Sequence, residues 1–235
     1  MKAKLAQVRK VFLALGTLSL VATLLAGCDD GGEEFGNCYF ISDETSSISA
    51  PQTAVVFAPT SNFVDFSSII GRAATPVKES LGANLPSSQK KDSIGRELSL
   101  VLADGDPQLV SRRAVTVAEG FTTDLDIDRA VKAVFGNFDL AASCAAGDLK
   151  IPGKDEVPTT EQTDLLKALA IAKDQLTTEK DKTIFVLGNG IQTSGAIHMQ
   201  DSDTFPKNDS AAKRLATALY QRGEIPDLNG VTVNW

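Results

Sequence analysis

The sequence contains one histidine, His198, and three cysteines among its 235 residues. A Ser-His-Asp or Cys-His arrangement would therefore depend on His198 alone. The loop before it contains Ser194, but the G-x-S-x-G turn that presents a hydrolase nucleophile is missing. A four-coordinate zinc site would also lack ligands unless carboxylates completed it. A hydrolase that uses His198 is therefore a minor alternative.

Positive charge is scarce as well. The chain has 23 Lys and Arg against 30 Asp and Glu, which gives a formal net charge of -7. Such a surface repels nucleic acid and anionic lipid headgroups. The segment "GNGIQTSG" has closely spaced glycines but lacks the lysine of a phosphate-binding loop. We therefore expect no nucleic-acid partner and no cofactor.

The N-terminus is the one strongly basic segment. Its four basic residues precede the apolar run Val11 to Leu25, a pattern that is typical of an export signal. The run is too short to span a bilayer comfortably, since that takes roughly 20 residues. We predict a signal peptide over residues 1–27, and its removal changes the formal net charge from -7 to -11 because it contains no acids.

The signal ends in Leu25-Ala26-Gly27-Cys28, which resembles the lipobox of bacterial lipoproteins. The resemblance implies cleavage before Cys28, with acyl chains on its thiol and on its new amino group. More than one chain makes such anchoring stable. It also implies a place on the extracytoplasmic face of the cell membrane; if there are two membranes, Asp29 and Asp30 suggest the periplasmic side of the inner one. An ordinary signal peptide with a chance cysteine is the alternative.

The segment after the signal is short of apolar residues. Residues 28–50 are rich in Gly, Glu, Ser and Asp, and we interpret them as a lipidated tether. With Cys28 lipidated, Cys38 and Cys144 remain as an even pair in an oxidising compartment. We predict a disulfide between them, although two separate thiols are the alternative because sequence alone cannot bring their Cα atoms within bridging distance.

Strand and helix patterns alternate over residues 51–235. Apolar or alternating runs predict five strands, the third of them an edge strand: Gln52–Ala58, Glu97–Ala103, Arg113–Glu119, Thr183–Leu187 and Gly230–Trp235. Three- and four-residue spacings and capping signals predict three helices: Asp126–Phe138, one from a capping box at Thr159 and Gln162 to Leu176, and one from Asp209 or Ser210 to Gly223. This order favours an α/β domain, a doubly wound and mainly parallel sheet with helices on both faces.

Four segments carry a resemblance to a known family: "TAVVFAPTSNF", "TEQTDLLKALAIAK", "KTIFVLGNGIQTSG" and "PDLNGVTVNW". In this order they resemble a von Willebrand factor A domain, in the divergent form found in exported bacterial lipoproteins and often beside an OmpA-like domain. The resemblance covers residues 51–235. It implies the doubly wound fold, and the strand Gly230–Trp235 is expected to be buried.

The same resemblance implies a divalent-metal site that this chain has largely lost. The family's Asp-x-Ser-x-Ser positions match Ala58, Thr60 and Asn62, and its later aspartate matches Asn189. Thr163 matches the threonine that usually completes the site. Hard cations need at least one or two carboxylates, because neutral oxygens seldom offset the cost of removing water. We therefore expect no metal, with Asp164 or Asp65 as substitute acids if one binds.

What remains is a polar set at one edge of the expected sheet. We predict a candidate binding face made of Thr60, Ser61, Asn62, Thr163, Asp164, Asn189, Gln192, Thr193 and Ser194. An equally good interpretation is that these residues make ordinary turns and helix caps. Asp104 and Asp106 in "ADGDPQ" have the spacing of an ordinary Asp-Gly turn rather than of a catalytic pair.

Together these features predict a membrane-anchored, non-catalytic module that binds an envelope protein or a cell-wall partner. The alternatives are a solute-binding lipoprotein of a transporter, for which the chain is short, and the hydrolase that uses His198.

Overall fold

A computed structural model describes residues 49–58, 66–146, 162–199, 201 and 205–235. Five strands form one sheet in the order β3-β2-β1-β4-β5. β3 runs antiparallel to β2, and every other neighbouring pair is parallel. The predicted α/β class with a mainly parallel sheet is therefore confirmed. The strands are β1 Gln52–Ala58, β2 Glu97–Leu102, β3 Gln108–Ala114, β4 Lys182–Gly188 and β5 Thr232–Asn234.

β1 is the central strand, and all seven of its residues are buried. Its side chains alternate between two clusters, with Val55 and Phe57 on one face of the sheet and Ala54 and Val56 on the other. A strand buried on both faces reads as a continuous apolar run. For this reason the predicted bounds of β1 are confirmed, and those of β2 and β4 are confirmed to within one residue.

Helices cover both faces of the sheet, as predicted. Helices α1, Phe66–Ser80, and α2, Asp124–Ala145, pack on the Val55 and Phe57 face. Helix α3, Leu165–Asp174, packs on the Ala54 and Val56 face. Helix α4, Asp209–Gln221, buries only Leu219. None of the helices in the described segments combines the length and the apolar character needed to cross a membrane.

Helix α1 is absent from the sequence prediction, which assigns no helix between the first two strands. Gly71 and Pro76 lie within it, and both residues normally weaken a helix interior. Packing overrides these propensities, because Ala73 and Val77 are buried against the sheet. Helix α2 is confirmed, but it starts two residues before the predicted Asp126 and continues to Ala145.

The prediction for the third strand is wrong in position. β3 is an edge strand as expected, but it covers Gln108–Ala114 rather than Arg113–Glu119. It begins directly after the turn at Asp104–Asp106 and pairs with β2 as a hairpin, so Leu102 lies opposite Gln108. Val115 continues the pairing through hydrogen bonds with Gly95 and Arg96, and the alternating residues that follow leave the sheet.

Two helix starts also differ from prediction. The side chain of Asp164, rather than a capping box at Thr159 and Gln162, caps α3 by accepting a hydrogen bond from Lys167 N. Thr159 lies outside the described residues. Asn208, rather than Asp209 or Ser210, caps α4 by accepting from Ala211 N. The predicted end of α4 at Gly223 is confirmed, because Gly223 has φ +72 and both it and Glu224 donate to carbonyls of the last turn.

The last strand exists but is not the buried strand expected from the sequence. β5 contains three residues, all of them exposed, and Trp235 is 66% exposed. Its parallel register with β4 places Val233 beside Ile184 and Asn234 beside Phe185. The side of β5 away from β4 is therefore an edge of the described sheet.

We call the edge where β1, β2 and β4 begin the amino edge. Buried polar contacts hold it together. Gln52, 1% exposed, accepts a hydrogen bond from Thr178 N at 2.9 Å. Glu97, at the start of β2, has a side chain that is 1% exposed and pairs with Arg112 of β3, with 2.6 Å between Oε1 and Nε. The second carboxylate oxygen accepts from Arg112 Nη2 at 3.3 Å.

Candidate functional site

The opposite edge, where β1, β2 and β4 end, is the carboxyl edge, and it holds the described residues of the predicted binding face. The chain leaves β1 toward β2 on one side of the sheet and leaves β4 toward β5 on the other side. Ligands of open α/β sheets bind outside the carboxyl ends of the strands at such a switch point. Ala58 and Gly188 are the paired last residues of β1 and β4, and a Cβ at Gly188 would collide with the Ala58 carbonyl oxygen. The two strands therefore approach closely at this point.

Thr163 and Thr193 join the loop before α3 to the loop after β4. Thr163 N donates to Thr193 Oγ1 at 2.7 Å, and the N–H groups of Thr193 and Ser194 donate to Thr163 O at 2.9 and 3.2 Å. Thr163 is fully buried. These two threonines, 30 residues apart in sequence, fix the two loops against each other.

Gln192 completes the start of helix α3. Its Nε2 donates to Asp164 Oδ1 at 2.8 Å and to Ser194 O at 2.6 Å, while its Oε1 accepts from Leu166 N at 3.0 Å. Gln192 is 2% exposed. The first N–H groups of a helix have no partner within it, so Asp164 and Gln192 together satisfy donors that would otherwise be buried unpaired. Gly195, at φ +76, lies directly against the Asp164 carboxylate, where a Cβ would overlap its oxygens.

The tip of the β2–β3 hairpin contacts the same helix start. Asp164 N donates to Asp104 O at 3.1 Å, and Asp106 N donates to Asp104 Oδ1 at 3.0 Å. Lys167 Nζ lies 2.9 Å from Asp106 Oδ1. Its hydrogen bond with Asp106 raises the pKa of Lys167 above the ordinary lysine value, and the charges of Asp106, Asp164 and Asp104 add to the shift. Sequence analysis missed Lys167, because nothing in the sequence indicates that the hairpin tip reaches α3.

Asn189 forms the turn that follows β4. Its Oδ1 accepts a hydrogen bond from Ile191 N at 3.0 Å, which is the turn role that the sequence analysis kept open for it. The next residue, Gly190, has φ +74 and lies against the Trp235 ring. Asn189 Nδ2 is buried and has no hydrogen-bond partner.

Unpaired buried atoms collect at this edge. In the described part of the chain, four buried side-chain atoms lack a hydrogen-bond partner. Three of them lie at the carboxyl edge, namely Gln108 Nε2, Asn189 Nδ2 and Ser194 Oγ. The fourth, Ser99 Oγ, lies within β2. An unpaired buried polar group costs about 1–3 kcal/mol, so such groups call for an explanation wherever they occur.

The described residues of the predicted site do not suit a divalent cation. Ala58 and Asn189 supply no charge, and Asp164 Oδ1 already accepts two hydrogen bonds. Lys167 brings a positive charge beside Asp106. The searched, described residues contain no group of three or more His, Cys, Asp or Glu that could hold a metal ion. Thr60, Ser61, Asn62 and Asp65 lie outside the described residues, so their part in the binding face stays a prediction.

The histidine and serine of the hydrolase alternative do not form a catalytic pair here. Ser194 Oγ, in a residue that is 8% exposed, has no hydrogen-bond partner, so His198 does not activate it. His198 is exposed on the loop that follows. This arrangement gives no support to a nucleophilic role for Ser194.

The predicted covalent sites lie mainly outside the described residues. Cys28 and Cys38 both do, so lipidation and the Cys38–Cys144 pairing stay predictions. Cys144 is 1% exposed near the end of α2.

No family model and no curated protein matches the chain. Among solved structures it is similar to proximal thread matrix protein 1 from the mussel byssus, at 15% identity and a TM-score of 0.34, covering 79% of this chain and 37% of that one. A second structure of that protein gives 15% identity and a TM-score of 0.34, and the match covers 82% of this chain and 38% of that one. A third structure, with a zinc-occupied MIDAS motif, gives 15% identity and a TM-score of 0.33, and the match covers 81% of this chain and 38% of that one. The chain thus spans less than two fifths of those structures, and similarity at this level carries no argument about function.

Proposed function

We propose that this chain is a lipid-anchored extracytoplasmic module with a von Willebrand factor A-like fold, which binds an envelope partner at its carboxyl edge without catalysis. The observation that carries the proposal is the concentration of unpaired buried polar atoms at that edge, on Gln108, Asn189 and Ser194. These atoms are buried in the isolated fold, so a partner recovers the free energy lost on them only by moving the loops that cover them as it binds.

The non-catalytic part of the proposal rests on how the polar residues are used. Thr163, Asp164, Gln192 and Thr193 bond to one another and to the backbone. Residues committed to holding loops in place are not available as nucleophiles or bases.

The anchor rests on the sequence. The basic start, the apolar run and Leu25-Ala26-Gly27-Cys28 together support export followed by acylation at Cys28. The solute-binding alternative has less support, because such proteins usually need two lobes and the described elements form one sheet.

The anchor is tested by replacing Cys28 with serine. The wild-type chain should carry a mass increase at its N-terminal cysteine and should stay with membranes after a high-salt wash. Cys28→Ser should be released, because the acyl chains supply the membrane affinity. Equal partition of the two proteins, with no lipid on the wild type, would contradict the anchor and leave the binding edge untouched.

The binding edge is tested by photo-crosslinking in intact cells. A benzophenone side chain replaces Ala196, exposed beside Asp164 at the carboxyl edge, or Glu179, exposed near Thr178 at the amino edge. The Ala196 position should give a discrete adduct and the Glu179 position none. Adducts from Glu179 alone, or from neither position, would reject the carboxyl edge as the binding surface.

We also propose that the edge works without a divalent cation. Millimolar magnesium, manganese or calcium should leave the melting temperature unchanged, since the described residues contain no group of three or more His, Cys, Asp or Glu placed to hold such an ion. Micromolar binding of any of these ions, lost when Thr163 is replaced by valine, would overturn this part of the proposal.

A further inference from the structure

One face of the sheet is covered unequally. α2 packs against β1, β2 and β3, and α1 packs against β4, whereas all three residues of β5 are exposed. Strands lie about 4.8 Å apart and a helix with its side chains is about 10 Å wide, so one helix covers about two strands. Beyond α1, the β4–β5 side of this face therefore has room for one more helix.

A groove of about 490 Å³ occupies this position. One wall is α1, the floor is β4, and the far wall is Trp235. Phe185 and Leu187 belong to the cluster beneath α1, and the register sets Asn234 beside Phe185. The floor is thus apolar near α1 and polar toward β5, which suits an amphipathic helix better than a wholly apolar one.

Two physical arguments make this face unusual for a free surface. Parallel strands occur almost only where both faces are covered, and β4 and β5 are parallel. Tryptophan is one of the residue types enriched among the hot spots of protein interfaces, and Trp235 is 66% exposed at the groove wall. Both indicate that the groove is a surface for an occupant.

The charge around the groove indicates what kind of occupant it takes. Arg72 lines it, and its Nε donates a hydrogen bond to Ser68 O of the same helix at 3.4 Å. Residues 66–78, 182–200 and 231–235, which include both walls and the floor, contain no Asp or Glu, although the chain has 30 acids. The groove is therefore a positive site on an acidic protein, and it attracts negative charge.

We propose that this groove docks an amphipathic helix of a partner protein, whose apolar stripe lies on Phe185, Leu187 and Trp235 and whose acidic side chain pairs with Arg72. The helix-in-groove mode uses apolar anchors at i, i+3, i+4 and i+7. This surface adjoins the carboxyl edge at Gly188 but is lined mainly by α1, β4 and Trp235, and its test involves neither the anchor nor the crosslinking positions.

Trp235 is the only tryptophan in the chain, so its emission reports occupation of the groove directly. The full-length chain is held in neutral detergent micelles, with micelles alone as the blank. The probe is a synthetic peptide of about five helical turns, since shorter helices are marginal in water. It has leucines at i, i+3, i+4 and i+7, glutamates flanking them, and no Trp or Tyr; a twin has lysine for each glutamate.

The glutamate peptide should shift Trp235 emission to shorter wavelength and bind at least about tenfold more tightly than its lysine twin, a difference of about 1.4 kcal/mol. Arg72→Gln should remove the preference and Arg72→Glu should reverse it. Lys132→Glu, the same charge change on an exposed position of α2, should leave it intact. Circular dichroism of each variant checks that the fold is kept.

Three results would overturn the proposal. Equal binding of the two peptides, or a preference that ignores Arg72, would show that the groove does not select an acidic helix. Concentration-dependent association of the chain, lost with Arg72→Glu, would assign the groove to a second copy. Weak acrylamide quenching of Trp235 in the free chain would show that another part of the same chain already covers it.

Discussion

The two edges of the sheet are built alike, but they differ in how completely their buried polar side chains are hydrogen-bonded. A buried glutamine ties loops at each edge, Gln52 to Thr178 at the amino edge and Gln192 to Leu166 and Asp164 at the carboxyl edge. The amino edge adds the partly buried ion pair of Glu97 and Arg112 and, among the described residues, leaves no buried side-chain atom without a hydrogen bond, whereas the carboxyl edge leaves three. Under the proposed function, the amino edge serves stability, while the carboxyl edge keeps polar groups for a partner.

The largest effect is expected from the amino edge. Arg112→Met should lower the free energy of unfolding by about 3 kcal/mol, because it leaves the Glu97 carboxylate buried without its partner. Urea denaturation measures this loss. The double variant Glu97→Gln with Arg112→Met should recover much of it, since both charges are then removed; a double variant no better than Arg112→Met would contradict the role of the ion pair.

Gln52 and Gln192 test whether the loops at the two edges contribute equally to stability. Gln52→Leu and Gln192→Leu should each lower the free energy of unfolding by about 2 kcal/mol. Each substitution removes the glutamine oxygen that accepts a hydrogen bond from a backbone N–H group, and that group is left without a partner. Only Gln192→Leu should also reduce the crosslink from position 196. A loss of that crosslink with Gln52→Leu would show that the edges are not separable.

Substitutions at two neighbouring residues, Thr193 and Ser194, should have different effects on the free energy of unfolding. Thr193→Val should lower the free energy of unfolding by about 1 kcal/mol, because Thr163 N loses its acceptor. Ser194→Ala should leave stability unchanged or raise it slightly, because it removes a buried hydroxyl that has no partner. Thermal melts of the two variants give the comparison, and a Ser194→Ala variant as unstable as Thr193→Val would mean that Ser194 is paired in solution.

The smallest effect is expected from the exposed ion pair at the carboxyl edge. Lys167→Met should change the free energy of unfolding by at most about 1 kcal/mol, because water and salt screen the exposed pair with Asp106. The raised pKa of Lys167 means that its contribution is complete below the ordinary lysine pKa of about 10.4 and disappears as the pH rises through the higher folded-state value. Unfolding curves of both proteins at neutral and strongly alkaline pH, with and without added salt, measure this; a wild-type advantage that survives high pH would contradict the ion pair as its source.

Residues buried on both faces were the most predictable from sequence. β1 and β2 are buried along their whole length and are mainly apolar, so their type and bounds follow from composition. Helix α1 was missed because Gly71 and Pro76 interrupt the local signal that packing restores. β3 was misplaced because edge strands, half exposed, accept polar residues, so "QLVSRRA" looks less like a strand than the sequence that follows it.

The candidate site was predictable in its location but not in its contacts. Asn189, Thr163 and Asp164 could be placed at the carboxyl ends of strands from chain order alone. The Thr163–Thr193 hydrogen bonds and the contact of the Asp104 turn with α3 join segments that are 30 or more residues apart. Such pairings depend on loop geometry, which local pattern does not encode.

Gly195 is a position in the loop after β4 that has no room for a side chain. Its hydrogen atom occupies the only space between the loop backbone and the Asp164 carboxylate, and its φ of +76 is one that alanine adopts reluctantly. One added methyl group would therefore press on the helix cap, the glutamine and both threonines at once. Position 195 is accordingly the natural choice for a temperature-sensitive allele, in which cold-grown cells keep the loop closed and warming opens it.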